Sequence, residues 1–296
     1  MITNKNNKLL LGDRMKSYEK EFSYKIEKNQ CFLIRLDGHG FSKFTKRFNK
    51  PWDLRIHNAM VKTSETLMTT FNPTCVYTFS DEITLCFPSV PEVEGELIPE
   101  TIYSGKIQKL TTLAAGLAST VFYKSITNAE YDPEKDKDVI KLLEEATPYF
   151  DSRLFALPKN DEIVNNLYWR SVVDCRRNSI YGLGRKYFSD KQLFGLNTDI
   201  VKKKLLDEKG IDYNAEPGWY KYGVYFKKQK SNVTLISPYD KKEVTVLRTK
   251  LVNFSFNIGE LDNNLNFITE KVLPEDYSLK FKEKTLETNE DNNIQV

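Results

Sequence analysis

The sequence predicts an α+β fold, and three observations predict it. Apolar runs at 31–36, 75–79 and 83–87 have the length of strands. The last two are separated by only three residues, as in a hairpin. Stretches with apolar residues at near-helical spacing lie between and after them. The order is therefore strand, helix, hairpin, helix over the first part of the chain.

Each element has a local cause. Residues 31–36 (CFLIRL) end abruptly in Asp37-Gly38-His39-Gly40, a strand followed by a glycine-loosened turn. Lys50-Pro51-Trp52-Asp53 opens the first helix, Ile56, Met60, Leu67 and Phe71 supply its apolar spacing, and Asn72-Pro73 closes it. Ser80-Asp81-Glu82 joins the two strands of the hairpin and places two carboxylates at its tip. Residues 88–99, rich in proline and acids, read as a loop. A long helix follows, with Leu110, Leu113, Leu117 and Val121 as its stripe. Residues 131–157 read as polar with short helical stretches, 168–181 as a basic helix, and 201–209 as a helix halted by Gly210. From Tyr220 onward the pattern turns to short β-like runs, and 283–296 reads as a frayed polar tail.

No internal repeat or low-complexity linker marks a hard boundary. Three segments are expected: 1–130 as the core, 131–228 as a helical and basic part of the same unit, and 229–296 as a β-like extension with a tail.

Composition excludes several classes. Of 296 residues, 44 are Lys or Arg and 41 Asp or Glu, so 44 − 41 = +3. A polycationic surface is ruled out, although a local basic face is not. With only His39 and His57, a histidine-built zinc site cannot form. Cys31, Cys75, Cys86 and Cys175 include no C-x-x-C pair and read as buried reduced thiols. No apolar run approaches the roughly 18 residues that a bilayer span needs. The N-terminus lacks the apolar core of a secretory signal. A cytoplasmic location is expected, with a mitochondrial one left open.

The sharpest constellation is Asp37 at a strand end and Asp81 at the hairpin tip. If the strands pair side by side, both carboxylates emerge at one edge of the sheet. With an exposed glycine carbonyl they form a hard oxygen set, suited to Mg²⁺ and not to zinc. Two such ions about 3.5–4 Å apart stabilise the attacking and leaving oxygens of a phosphoryl displacement. A turn cap and an exposed loop fit the same two residues, and pattern alone leaves both readings open.

Basic residues are the second signal. Arg170, Arg176, Arg177, Arg185, Lys186 and Lys191 interleave with Tyr181, Tyr187 and Phe188. This suits phosphate binding with base stacking, or equally a solvated helix face with its aromatics turned inward. Lys227, Lys228 and Lys230 beside Tyr222, Tyr225 and Phe226 repeat the pattern more weakly. Lys106 and Lys109, one turn apart, either reach the carboxylate edge or solubilise their helix. Lys50 at a helix start is disfavoured by the helix dipole, which points to a ligand, whereas Asp53 there is ordinary capping. His39 stands beside Asp37 as a phosphate contact or a plain turn residue. No nucleophile motif and no phosphate-binding glycine-rich loop is present.

Together these blocks resemble the tRNA(His) guanylyltransferase superfamily, whose members extend RNA in the 3′-to-5′ direction. The resemblance is carried by Arg35-Leu36-Asp37-Gly38-His39-Gly40-Phe41, Lys50-Pro51-Trp52-Asp53 and Phe79-Ser80-Asp81-Glu82, in order and spacing. Lys106 to Leu110, Trp169-Arg170 with Asp174-Cys175 and Asn178, and Gly210 to Asn214 with Pro217 extend it over residues 14–228.

It implies a polymerase-palm-like, ferredoxin/RRM-like antiparallel sheet backed by helices, with a helical and basic extension. It implies Asp37 and Asp81 as catalytic residues that hold two Mg²⁺ with the Gly38 carbonyl. ATP or GTP would activate the 5′-monophosphate of a tRNA, and the 3′-hydroxyl of an incoming nucleotide would displace the activating group. Nucleotide contacts would come from His39, Gly40, Phe41, Lys50, Asp53, Ser80, Glu82, Lys106 and Lys109. RNA contacts would come from Arg170, Arg176, Arg177, Asn178, Arg185, Lys186 and Lys191. Partners would be tRNA and nucleoside triphosphates, in a dimer of dimers and away from membranes.

Arg176-Arg177-Asn178 replaces the histidine and paired asparagines of the guanylyltransferases proper. The replacement resembles the guanylyltransferase-like branch, associated with templated 5′-end repair or editing. His39-Gly40 replaces a common Arg-Asn pair, and Trp52 an asparagine, which bears on base preference. Alternative readings are a tRNA(His)-specific guanylyltransferase, a non-catalytic RNA-binding module, and a palm-type enzyme acting on nucleotides without RNA.

Overall fold

The computed structural model of the chain describes residues 10–95, 97–239 and 241–282. The tail read at 283–296 and most of the N-terminal stretch lie outside the described residues. Helix α1 (Leu11–Lys20) precedes β1 (Phe32–Gly38), a short α2 (Phe41–Phe44) and α3 (Leu54–Phe71). Strands β2 (Cys75–Phe79) and β3 (Glu82–Phe87) lead to α4 (Ile107–Thr127), α5 (Lys137–Glu145) and β4 (Phe150–Ala156). Helix α6 (Asp161–Tyr168) runs into a π-helical segment, Trp169–Cys175, and on into α7 (Arg176–Tyr187). Helices α8 (Asp190–Leu193), α9 (Thr198–Lys209) and α10 (Gly218–Tyr222) follow. A long hairpin of β5 (Val224–Ile236) and β6 (Glu243–Phe254) then precedes α11 (Asn264–Thr269).

The strands form one sheet in the order β4-β1-β3-β2-β5-β6, antiparallel at every step. Within it, β1-α3-β2-β3-α4-β4 is the ferredoxin-like βαββαβ arrangement that the family resemblance implies. Alternation along β1 sorts the two faces. Phe32, Ile34 and Leu36 pack with Leu67, Met68, Leu110, Ala114 and Phe122 beneath α3 and α4. Leu33 faces the other way, with Tyr77, Cys86, Leu167, Tyr225, Ile258 and Phe267. Helices α7, α8 and α9 carry a third cluster built on Ile180, Leu183, Phe188, Leu193, Val201 and Leu205.

Helix α3 starts where Asp53 caps it by accepting from the Arg55 amide, and it stops at Asn72, whose φ of 52° is left-handed. Helix α4 corrects the leucine stripe. Its buried positions are Leu110, Ala114, Ala118, Phe122 and Ile126, while Leu113 is exposed. Small alanines bring this face close to α3 and the sheet, a fit that leucine counting cannot show.

Residues 150–156, read as polar and helical, are the edge strand β4, and the runs on either side of residue 230 are one continuous strand, β5. Strands from all three sequence segments enter one sheet, with β4 inside 131–228 and β5 running across residue 228. All four cysteines are free and buried. Among the described residues, no helix is long and apolar enough to cross a membrane.

Candidate active site

Pairing of β1 with β3 sets Asp37 opposite Glu82, and pairing with β4 sets it opposite Asp151. Directly opposed residues of antiparallel strands share a face. Asp37, Glu82 and Asp151 therefore lie on the side away from α3 and α4, with Arg35 and Arg153 one pleat further along. The β2–β3 turn is tighter than read from sequence: Phe79 pairs with Glu82, leaving Ser80 and Asp81 as the turn. Ser80 has a φ of 50°, and its hydroxyl donates to Asp81 Oδ1 at 3.0 Å. The Gly38 amide donates to the Asp81 carbonyl at 3.1 Å, tying the end of β1 to this turn. A Cβ at Gly38 would stand 2.4 Å from the Phe41 ring, so the close approach requires glycine.

Burial raises the Asp81 carboxyl above its ordinary range, and the Asp37 charge adds to the effect. Burial likewise raises Glu82. Among the described residues, neither Asp37 nor Asp81 has an ion-pair partner, and no group of three or more His, Cys, Asp or Glu converges on a metal. Two carboxylates without an ion-pair partner beside a backbone carbonyl fit a hard divalent cation. Asp37, Asp81 and the Gly38 carbonyl are the residues that would hold it.

A cleft of about 310 Å³ opens beside Asp81. Phe41, Lys50, Asp53, Ser80, Asp81 and Asn178 line it, joined by Trp52, His57, Trp219 and Tyr220. Lys50 Nζ donates to the Thr45 carbonyl at 2.9 Å, and burial lowers its pKa although Asp53 opposes the shift. Asp53 is buried with both oxygens engaged, by the amides of Arg55 and Asn49 and by the Arg55 guanidinium. Burial pushes its carboxyl up, but these bonds outweigh it and hold the group below the usual range. Asp53 thus shapes the Lys50 loop. Arg55 also pairs with Asp136 at 2.7 Å. His57 stacks on Trp219 at 3.9 Å, and burial lowers its pKa to about 4. The Trp52 indole donates to Glu216 at 3.0 Å.

The remaining sequence candidates fall in three groups. His39 and Gly40 are exposed outside the cleft, the His39 ring stacked on Tyr149 at 4.9 Å. Lys106 and Lys109 sit at the start of α4 beside Tyr103, whereas the Phe122 end of that helix meets Phe41 and Phe150. Thirteen helical residues, about 20 Å, separate Lys109 from Phe122, so within this chain these lysines do not reach the carboxylate edge. Arg176, Arg177, Arg185 and Lys186 lie on α7, and Lys191 is exposed on α8.

Two of the three interleaved aromatics are engaged inside the fold. Phe188 is buried, and the Tyr181 hydroxyl donates to the Leu196 carbonyl. Lys227 is buried over Phe267, donating to the Glu270 carbonyl, and Tyr225 and Phe226 are core. Arg170 is also buried, paired with Glu82 and Asp174, and offers nothing to solvent.

Sequence reasoning missed Arg35, Asp151 and Arg153 on the carboxylate face, and Trp219 and Tyr220 in the cleft. Arg35, two residues before Asp37, had a signal in strand periodicity. The others depend on strand pairing and helix packing.

Comparisons with known proteins agree with this geometry. A family model described as tRNAHis guanylyltransferase matches residues 12–158. The tRNA(His) guanylyltransferase of Saccharomyces cerevisiae is 32% identical over 212 residues, 66% of this chain and 81% of that protein. An uncharacterized protein of Acanthamoeba polyphaga mimivirus is 31% identical over 267 residues, 88% of this chain and 89% of its own. The structure of a bacterial tRNA(His) guanylyltransferase-like protein in complex with ATP superposes with a TM-score of 0.62 at 28% identity, covering 80% of this chain and 91% of that one. Fold, carboxylate edge and relatives make the chain an enzyme of the nucleotidyltransferase class. It belongs to the tRNA(His) guanylyltransferase family.

Proposed function

We propose that the chain adds nucleotides to the 5′ end of tRNA in the 3′-to-5′ direction, repairing or editing 5′-truncated tRNAs against a template. The observation that carries this reading is the pair Asp37 and Asp81, without an ion-pair partner among the described residues and tied together through Gly38, with Asp81 lining a cleft that also holds Lys50. In the first step an oxygen of the tRNA 5′-phosphate attacks the α-phosphorus of ATP or GTP, and pyrophosphate leaves. In the second, the 3′-hydroxyl of an incoming nucleotide attacks the activated 5′-phosphorus, and the nucleoside monophosphate leaves. Bound Mg²⁺ would supply charge neutralisation for both displacements. Asp37 and Asp81 orient these groups, Lys50 faces the phosphates in the cleft, and Arg35 and Arg153 place cations one pleat from Asp37. Positioning and charge suffice, without a covalent nucleophile.

Arg176-Arg177-Asn178, where the guanylyltransferases proper carry a histidine motif, supports repair over a single obligatory guanosine. The name of the yeast relative supports a second reading, addition of guanosine to tRNA(His) alone. The test is incorporation of radiolabelled nucleotides into tRNAs lacking the first 5′ nucleotide, with Mg²⁺ or EDTA, comparing tRNA(His) with others. Mg²⁺-dependent incorporation into several truncated tRNAs supports the proposal. Incorporation of guanosine into tRNA(His) alone supports the second reading, and absence of incorporation overturns both. Asp37→Ala and Asp81→Ala are expected to lose incorporation while retaining tRNA binding.

A further inference from the structure

The sequence offers Arg170 as a surface cation, yet its side chain is only 8% exposed. Its guanidinium lies over the rings of Phe79 at 5.1 Å and Trp169 at 4.8 Å. One arm pairs with Glu82 and another with Asp174, whose second oxygen accepts from Arg177 at 2.7 Å. Glu82 follows Asp81 in the chain and faces Asp37 across the ladder. A single buried cation therefore joins the carboxylate turn to the π-helical segment, where the wider winding carries both Arg170 and Asp174. Without it, Glu82 would lose its ion-pair partner beside Asp37 and Asp81, and Asp174 would keep only Arg177. Breaking a buried pair on one side is costly because the remaining charge stays desolvated.

We infer that Arg170 is a positioning residue for nucleotidyl transfer: it fixes Glu82, and with it the turn that carries Asp81, against Asp37. It touches neither RNA nor nucleotide. The inference rests on the nucleotidyltransferase reading above. Lysine cannot replace it, since one ammonium lacks the planar fork that spans two carboxylates between two rings.

The test uses the full chain with Arg170→Gln, Arg170→Lys, Asp174→Asn, Glu82→Gln and the Arg170→Gln/Glu82→Gln double variant. Single-turnover nucleotide addition, ATP and tRNA dissociation constants and thermal melting are measured for each. Arg170→Gln is expected to slow addition at least about a hundredfold, the scale on which removing one preorganised donor acts. Both dissociation constants should stay within about threefold, since neither ligand touches the residue. Arg170→Lys should not rescue the rate, and the double variant should be no slower than Arg170→Gln, because a coupled pair is non-additive.

A rate within about threefold of wild type, or additive losses in the double variant, would overturn the role. A weakened tRNA constant with an intact rate would overturn it too, marking a direct RNA contact. If Arg170→Gln shows no cooperative melt, Asp174→Asn decides. That isosteric change must slow addition at least about tenfold with melting retained, and an unchanged rate refutes the inference. A wild-type chain that adds no nucleotide removes the functional reading itself, and the positioning role with it.

Discussion

The Gly38 amide donates to the Asp81 carbonyl at 3.1 Å, so one backbone bond sets the spacing of the two carboxylates. The bond exists because Gly38 lacks a side chain at the place where Phe41 folds back over it.

Gly38→Ala should therefore damage both stability and chemistry. Forcing a methyl into this space is expected to cost about 1–3 kcal/mol in urea unfolding. Addition should slow as the end of β1 shifts, and Phe41→Leu in the same chain should restore part of both. An alanine variant as stable and active as wild type would show that the ring moves aside freely.

Asp53→Ala removes a helix cap and the main partner of Arg55. The cap alone is worth about 1 kcal/mol, and leaving the half-buried arginine with Asp136 alone raises the expected loss to about 2–3 kcal/mol by urea titration. Asp136→Ala, at the outer end of the same network, should cost distinctly less.

His57 gives a pH dependence with a defined sign. Its folded pKa of about 4 lies below the ordinary 6.5, so the unfolded chain binds the proton more readily. Stability from this group is complete above the ordinary value and is lost as pH falls toward the folded one. Thermal melts of wild type should decline through that window, and those of His57→Gln should decline less steeply. Equal slopes would refute the assignment, whatever the absolute stability of the variant.

The exposed cations of α7 and α8 should behave differently from the buried ones. Arg185→Ala and Lys191→Ala are each expected to reduce the slope of log tRNA affinity against log salt by about 0.9 for every phosphate the side chain neutralises. Lys227→Met should leave that slope unchanged, because Lys227 is fully buried over Phe267. Filter binding over a salt series measures all three.

Local signals make much of the fold legible. The abrupt end of β1, the Pro51 helix start and the short β2–β3 turn are written in adjacent residues. Strand β4 is not legible in the same way, because an edge strand open to solvent carries polar residues on both faces. Burial of Arg170 is out of reach for a deeper reason. Its partner Glu82 is 88 residues away, and both sit among residues that look solvent-facing in one dimension. Lys227 illustrates the same limit, since a lysine that begins a basic run is spent on a backbone carbonyl inside the core. Carboxylate chemistry is announced by its own loops, while the groups that steady it arrive from distant segments.

That distribution has a consequence for biosynthesis. Asp37 and Asp81 leave the ribosome early, whereas Arg170, the cleft wall at Trp219 and Tyr220, and the β5 partner of β2 come much later. Until Arg170 has been added, Glu82 has no partner for its half-buried carboxylate. A product terminated before Arg170 would carry the signature residues yet lack a competent site. The cleft wall at Trp219 and Tyr220 and the β5 partner of β2 are the last of these parts to be made.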